Sequence, residues 1–294
     1  MVPEALSGRI IQKLQQYGTF RRNALNVKVG PRQYVPKIGS DVVVYAPGEG
    51  KVITQSDVLA KMIKLEPIKM ACLTVISSEL DEDSLVGMGE LIGLSITRAL
   101  AQKEDAIGFS GTGTEDDFGL CGIVGAFQKL GDNPAAIAGL QVASGNAYSE
   151  ITLGDFEALI GRLEPAADAG AKWYVHKRFF FSVMHRLASA TGAADMFAIL
   201  SSQKARHFMG YPVEFVHSMP HTEANSQVCA ILGDLNLGAY LGETRSLEVA
   251  RSEHAYFESD KIGFRATERI DVSAFGTGTA DSPESIVALV TAAA

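Results

Sequence analysis

From Asn26 to about Met70 the apolar positions come as short runs broken by glycine and proline. Val27 and Val29 precede Gly30-Pro31; then come Tyr34-Val35-Pro36, Val42 to Tyr45, Pro47 to Gly50, and Val52-Ile53. β-Branched and aromatic runs punctuated in this way predict strands and turns. The span reads as a β-rich excursion that turns at 47–51 and carries Lys61, Lys64 and Lys69 on its returning side. A lone two-stranded hairpin is barely stable in water, so this one is expected to lie across an adjacent surface. Residues 1–25 read as an arm, extended or partly helical. Ile10, Ile11 and Leu14 have helical spacing, but Gly18 cuts the run short of the ~12 residues an isolated helix needs.

Beyond residue 77 the period changes. Leu85, Met88, Ile92, Ile96 and Ala99 recur every three or four residues, which predicts an amphipathic helix from about Asp83 to Phe109. It would be roughly 40 Å long at ~1.5 Å per residue. Ser84 can cap it, and Asp81, Glu82 and Asp83 sit at its positive end, where each carboxylate contributes ~0.3–1 kcal/mol. Gly87, Gly89 and Gly93 each cost ~1 kcal/mol relative to alanine, and can admit a crossing element. Gly111-Thr112-Gly113-Thr114 and Gly119-Leu120-Cys121-Gly122 stop the helix. A long helix with an acidic start and a glycine stop reads as a strut.

A second unit follows the Gly- and Ala-rich passage 131–145. Thr152 to Asp155 has the form of a capping box opening a helix to about Leu163. Trp173 to His176 reads as a strand, Phe179 to Ala190 as a helix, and Gly210 to Val216 as a strand with its proline near the start. Together they predict a compact α/β lobe. Leu247 to Ala250 and Ile262 to Ala266 predict two facing strands around a polar turn at Glu258-Ser259-Asp260. From Val272 the tail is small and apolar, with Gly276 to Thr279 as a flexible turn.

Composition narrows the function classes. A 294-residue chain with 47% apolar residues has material for one large domain or two modest ones. A net charge of −8 excludes a protein that grips nucleic acid by neutralising phosphates. An acidic wall would instead let DNA slide. No apolar run reaches the ~20 residues needed to span a bilayer, and no signal peptide is visible. The expected setting is a reducing cytoplasm.

Candidate chemistry is sparse. Cys72, Cys121 and Cys229 are widely spaced and read as core residues, not as a disulfide framework or zinc site. His217 and His221 lie four apart, but Pro220 breaks the helix that would align them, and His176, His185, His207 and His254 show no partner. Gly108 to Thr112 almost makes a nucleophile elbow around Ser110, yet a helix stands where the elbow needs a strand. Gly111 to Thr114 lacks the Gly-Lys ending of a phosphate loop and follows a helix C-terminus. Asp116-Asp117 reads as solvated loop. No catalytic, cofactor or metal residue is assigned.

Six motifs in order carry a family likeness: Glu49-Gly50; Ser78-Glu79-Leu80 with Asp83-Ser84; Gly111 to Thr114; Gly210-Tyr211-Pro212-Val213; Gly233-Asp234; and Arg269-Ile270-Asp271. Over residues 25 to 275 the chain resembles the major capsid proteins of tailed bacteriophages, of the Hong Kong 97-type α+β capsid fold. The resemblance implies an N-terminal arm (1–25), an extended E-loop (26–70), a peripheral domain with the long spine helix (71–150 and 240–275), and an axial α/β domain (151–239 and 276–294). It implies self-assembly as hexamers and pentamers into an icosahedral phage head made in the host cytoplasm. That head would enclose double-stranded DNA without sequence-specific binding, with portal and scaffold or decoration proteins as further partners. Glu49, Lys51, Lys61, Lys64, Glu258 and Asp260 are the expected inter-subunit contacts. Some relatives weld subunits by a lysine–asparagine isopeptide bond. Lys51 could serve as the lysine, but Asp260 stands where asparagine is needed and Thr267 where the acid is, so no crosslink is expected. Relatives often carry a cleaved scaffolding segment, and none is visible here. An encapsulin-like nanocompartment shares the fold and is the alternative; a cytosolic serine hydrolase using Ser110 is a remote one.

Overall fold

The structure, a computed structural model, describes residues 17–40, 44–46, 49–52, 59–78, 88–190 and 206–293. Expectations for Ile10, Ile11, Leu14, Pro47, Gly48, Ile53, the acidic helix start at 79–84, Leu85 and Gly87 lie outside the described residues. Along the chain β1 (Leu25–Lys28), β2 (Gln33–Ser40), β3 (Leu59–Leu65) and β4 (Ile68–Ser77) precede the long helix Met88–Ser110. Then come β5 (Leu140–Val142), β6 (Lys172–Val175), β7 (His207–Phe208), β8 (Tyr211–Phe215) and β9 (Val228–Gly233). Helices at Ile123–Gln128, Leu153–Ile160 and across 177–190 are set among them. β10 (Ala239–Ser252), β11 (Lys261–Ala274) and β12 (Ile286–Val290) complete the chain.

These strands form three sheets: a four-stranded sheet β1-β10-β11-β4, a six-stranded sheet β5-β12-β9-β6-β8-β7, and β2-β3 alone. The facing strands expected at 247–250 and 262–266 pair antiparallel within the longer β10 and β11, with Val249 opposite Ala266. β11 alternates: Ile262, Phe264, Ala266, Glu268, Ile270 and Val272 are buried, while Arg265 and Arg269 are exposed. This period of two marks a sheet with one face on a core. The Phe264 ring lies beside Gly89 of the long helix.

The described long helix has 23 residues, about 35 Å at ~1.5 Å per residue. Its inward stripe advances by fours through Ile92, Ile96 and Leu100 to Glu104. Ala99, expected on that stripe, is exposed, because the inward face turns to Leu100 instead. Near its C-terminus the helix is buried on several sides: Glu104, Asp105, Ile107, Gly108 and Phe109 are all covered. The cover on one side is the short helix Thr19–Asn23, whose Phe20 is fully buried and meets Phe109 edge-on at 5.5 Å. Burying one such ring contributes ~1.5–3 kcal/mol. Within the span expected to form an arm, Thr19, Phe20 and Ala24 are therefore buried in the core, while Arg22 stays exposed.

The stop after Ser110 works differently from the expected glycine cap. Gly111 N–H still bonds the Ile107 carbonyl at 2.9 Å, and the left-handed residue is Gly113, with φ +80. Gly111, Gly122 and Gly125 instead allow the chain to cross the helix end backbone to backbone. A Cβ on Gly122 would lie 2.0 Å from the Ile107 carbonyl oxygen. Only glycine fits such an approach.

The inner strands of the six-stranded sheet, β12, β9 and β6, are buried on both faces. Trp173, Val175, Ala230, Leu232, Val287 and Leu289 pack with Phe156, Leu159, Phe179 and Val183 of the helices at 153–160 and 177–190. Tyr174, Ile231, Ile286, Ala288 and Val290 point the other way, into the core shared with the long helix. Phe109 and Tyr174 meet there at 5.4 Å. β12, taken from sequence as part of a small apolar tail, is thus an inner strand between β5 and β9. The capping box holds: Asp155 accepts the Thr152 N–H at 2.8 Å, and the helix runs to Ile160, three residues short of the expected end. Cys229 is buried as expected, whereas Cys72 and Cys121 are only half-buried.

Candidate assembly surfaces

The β2-β3 hairpin is anchored at its root and midway along, and bare toward its tip. Lys37 Nζ donates to the Phe275 carbonyl at 2.9 Å, pairs with Glu284, and sits 5.3 Å from the centre of the Phe275 ring. Asp271 accepts the Glu66 N–H at 2.6 Å, so the late Arg-x-Asp motif pins the hairpin root. Burial holds the Asp271 carboxyl above the usual carboxylate range, against the pull of its N–H donors. Along the strands Tyr34 and Met62 are exposed; farther out, Tyr45 is exposed and Val44 and Val52 each keep 93% of their surface in water. Among the described strands each pairs only with the other, so both are sheet edges. Exposed apolar side chains beside open edges are what a second chain covers.

Glu49 and Lys51 stand exposed at this tip, around Gly50 at φ +75. Lys61 stands opposite Lys37 in the β2-β3 ladder. Lys64 is half-exposed and pairs with Glu66 of its own chain at 2.6 Å, as does Arg32. Glu258 and Asp260 lie at a separate projection, the tip between β10 and β11, beside Phe257, which is 84% exposed. Asp260 takes a left-handed conformation (φ +48), and its carbonyl accepts the Ser78 N–H at 3.1 Å. Ser78, the residue after β4, thus fastens this tip to the end of that strand. The six expected contact residues therefore divide between two surfaces, four on the hairpin and two on the β10-β11 tip.

Other motif residues have structural roles. Gly210, at φ +90, turns β7 into β8, and the Tyr211 hydroxyl bonds Asp168. Asp234 accepts the Asn236 N–H at 2.9 Å, capping a short helix. The Ser110 hydroxyl is used on the Ser218 carbonyl at 3.3 Å. Asp117, expected to be solvated loop, receives the Thr112 N–H at 2.9 Å and faces Lys103 at 3.5 Å. This fills the loop that an anion would need.

Three histidines separated in sequence come together at the C-terminal ends of the parallel strands β6 and β8. The His176 ring lies 5.7 Å from His217 and 5.1 Å from His221. His176 Nδ1 accepts the Arg178 N–H at 3.1 Å and so caps the helix that follows. Burial lowers the His176 pKa, and His221, His217 and Arg178 lower it further. Among the described residues no group of His, Cys, Asp and Glu is arranged to hold a metal ion, and no helix is long and apolar enough to cross a membrane.

A glycine-crossed strut packed on a four-stranded mixed sheet, a second mixed sheet sharing its core, and a projecting hairpin make up the α+β architecture of Hong Kong 97-type shell proteins. The chain belongs to the phage capsid family, whose profile matches residues 1–277. It is a structural major capsid protein, a component of a virion shell. Its fold is similar to the capsid of a native GTA particle, with a TM-score of 0.79 at 20% identity over 100% of this chain and 96% of that one. The capsid of the empty GTA particle gives 0.78 at 22% identity, over 99% and 96%. A chain of Mycobacterium phage Adephagia gives 0.73 at 15% identity, over 100% and 95%. No curated protein matches the sequence. The nanocompartment and hydrolase alternatives gain no support from these likenesses.

Proposed function

We propose that copies of this chain assemble as hexamers and pentamers into a closed icosahedral shell around double-stranded DNA, with no catalytic turnover of their own. Residues 26–70 serve as the E-loop, and the hairpin within them lies across a neighbouring subunit. The tip at Glu258 and Asp260 makes a second contact, and the lobe at 151–239 faces the symmetry axes. The observation that carries this reading is the β2-β3 hairpin: anchored by Lys37 and Asp271, it leaves Val44, Val52 and Met62 exposed among the described residues. The net charge of −8 suits an inner wall that repels phosphate instead of binding it.

Electron microscopy and size exclusion of the protein expressed alone test this. Closed shells or rings of five and six subunits are expected, with nucleic acid inside particles made in the presence of the other head proteins. A dispersed monomer or dimer under both conditions would overturn the reading. Particles that enclose a protein cargo instead would assign it to the nanocompartment class.

A further inference from the structure

Arg21 lies among three carboxylates, each from a different element. Its Nε and Nη2 fork onto Glu104 of the long helix at 3.0 and 2.6 Å. Nη2 also reaches Glu268 of β11 at 2.5 Å, and Nη1 faces Glu243 of β10 at 3.5 Å. Glu104 and Glu268 are each only 3% exposed. One step along the long helix, Asp105 accepts the backbone N–H groups of Gly18, Thr19 and Phe20 at 2.8, 3.2 and 2.8 Å. Two adjacent helix carboxylates therefore hold the segment 18–21 by both its backbone and its side chain.

The charges around Arg21 do not balance. One guanidinium cannot neutralise three carboxylates in a site largely closed to water, and an unpaired buried charge is costly. Two carboxyls in contact relieve this by sharing a proton. Glu104 Oε1 and Glu268 Oε1 both accept from the same Arg21 Nη2, at 2.6 and 2.5 Å, so two buried carboxyls converge on one donor, and a proton held at this pair removes a surplus charge. The charged groups facing Glu268 are Glu104 from the long helix, Arg21 from the short helix and Glu243 from β10. Across the ladder on β4 stands Met70, which carries no charge.

We propose that Arg21, Glu104, Glu243 and Glu268 form a proton-sharing clasp that seats segment 18–23 on the long helix and the four-stranded sheet, and that it loosens when the shared proton leaves. Burial, then the charge of Glu104, push the Glu268 carboxyl up to about 7, against the opposing effect of Arg21. A group raised in the folded state contributes stability that is full below its unfolded value and is lost as pH rises through its folded value. For Glu268 that window runs from 4.5 to about 7. The clasp is tight in mild acid and strained above neutrality. It is a property of the folded subunit, whether or not the subunit is assembled.

Denaturant unfolding of wild type and Glu268→Gln across this window is the test, since glutamine keeps the shape of the protonated acid without its titration. Relative to the variant, the wild-type folding constant is expected to fall by up to about tenfold per pH unit between the two values, then level off. Equal pH slopes in the two proteins would overturn the clasp. Should the variant not fold, infrared difference titration of the wild type decides. A protonated carboxyl lost near neutrality supports the proposal, and carboxyls that all titrate in the ordinary acid range overturn it.

Discussion

Single residues here act through what surrounds them, so one substitution can have opposite signs at two places on the same helix. Gly93 and Gly108 both belong to the long helix, and alanine at either should gain ~1 kcal/mol of helix propensity. A Cβ at Gly93 would meet nothing within 4 Å, whereas at Gly108 it would lie 2.4 Å from the fully buried Phe20 ring. Overpacking of that kind costs ~1–3 kcal/mol. Denaturation of dispersed subunits should therefore show Gly93→Ala stabilising by up to ~1 kcal/mol and Gly108→Ala destabilising by ~1–2 kcal/mol. Recovery in a Gly108→Ala, Phe20→Leu double variant would confirm the ring as the cause. Glu104 teaches a related lesson. It falls on the fourfold stripe after Ile92, Ile96 and Leu100, and a carboxylate at an inward position calls for a buried cation. That signal was legible; its partner Arg21, 83 residues away, was not.

Among the elements, the β2-β3 hairpin separates folding from assembly most clearly. Its anchoring bonds from Lys37 and to Asp271 belong to the folded subunit, while Val52 and Met62 are exposed. Exposed positions outside such features usually shift stability by no more than ~0.5 kcal/mol. Val52→Lys and Met62→Lys should accordingly leave the unfolding transition of dispersed subunits in place yet suppress particle formation in the electron microscope. Particles at wild-type yield would show that the hairpin does not lie on a neighbour. β12 is the opposite case, an element every side chain of which is buried. Its five residues carry no alternation because both faces of its sheet are covered, and so they read in sequence as a featureless apolar tail.

For the molecule as a whole, two proton-linked clusters work in opposite senses. Glu268 makes the subunit more stable as pH falls toward 4.5. His176 does the reverse. Its folded pKa lies below the unfolded 6.5, so the neutral ring's contribution is present above that value and is lost as pH falls below it. Protonating Nδ1 would also remove the cap on Arg178 and place a cation at a helix N-terminus beside Arg178. His176→Asn keeps a capping acceptor without the titration, so its stability should fall less than that of wild type as the medium is acidified. Urea unfolding on both sides of pH ~6.5 measures this, and parallel pH profiles for the two proteins would exclude the histidine cluster as the cause.

The sequence by itself determined the elements whose cause is local: the long amphipathic helix, the capping box at Thr152, the strand at 173–175, the facing strands around Glu258 to Asp260, and the β-rich span before the helix. Periodicity, turn residues and caps act over a few residues, so they can be read directly. The order of six short motifs also pointed to the capsid family. Only the tertiary structure decided which residues share the core and which charges meet. It seated Phe20 in the core, because its ring packs on Phe109 and over the space at Gly108. It brought together His176, His217 and His221, because β6 and β8 run parallel and end at the same edge. It closed Arg21 on three carboxylates drawn from across the chain. These are long-range pairings, set by how sheets and helices stack, and a pattern of neighbouring residues carries no record of them.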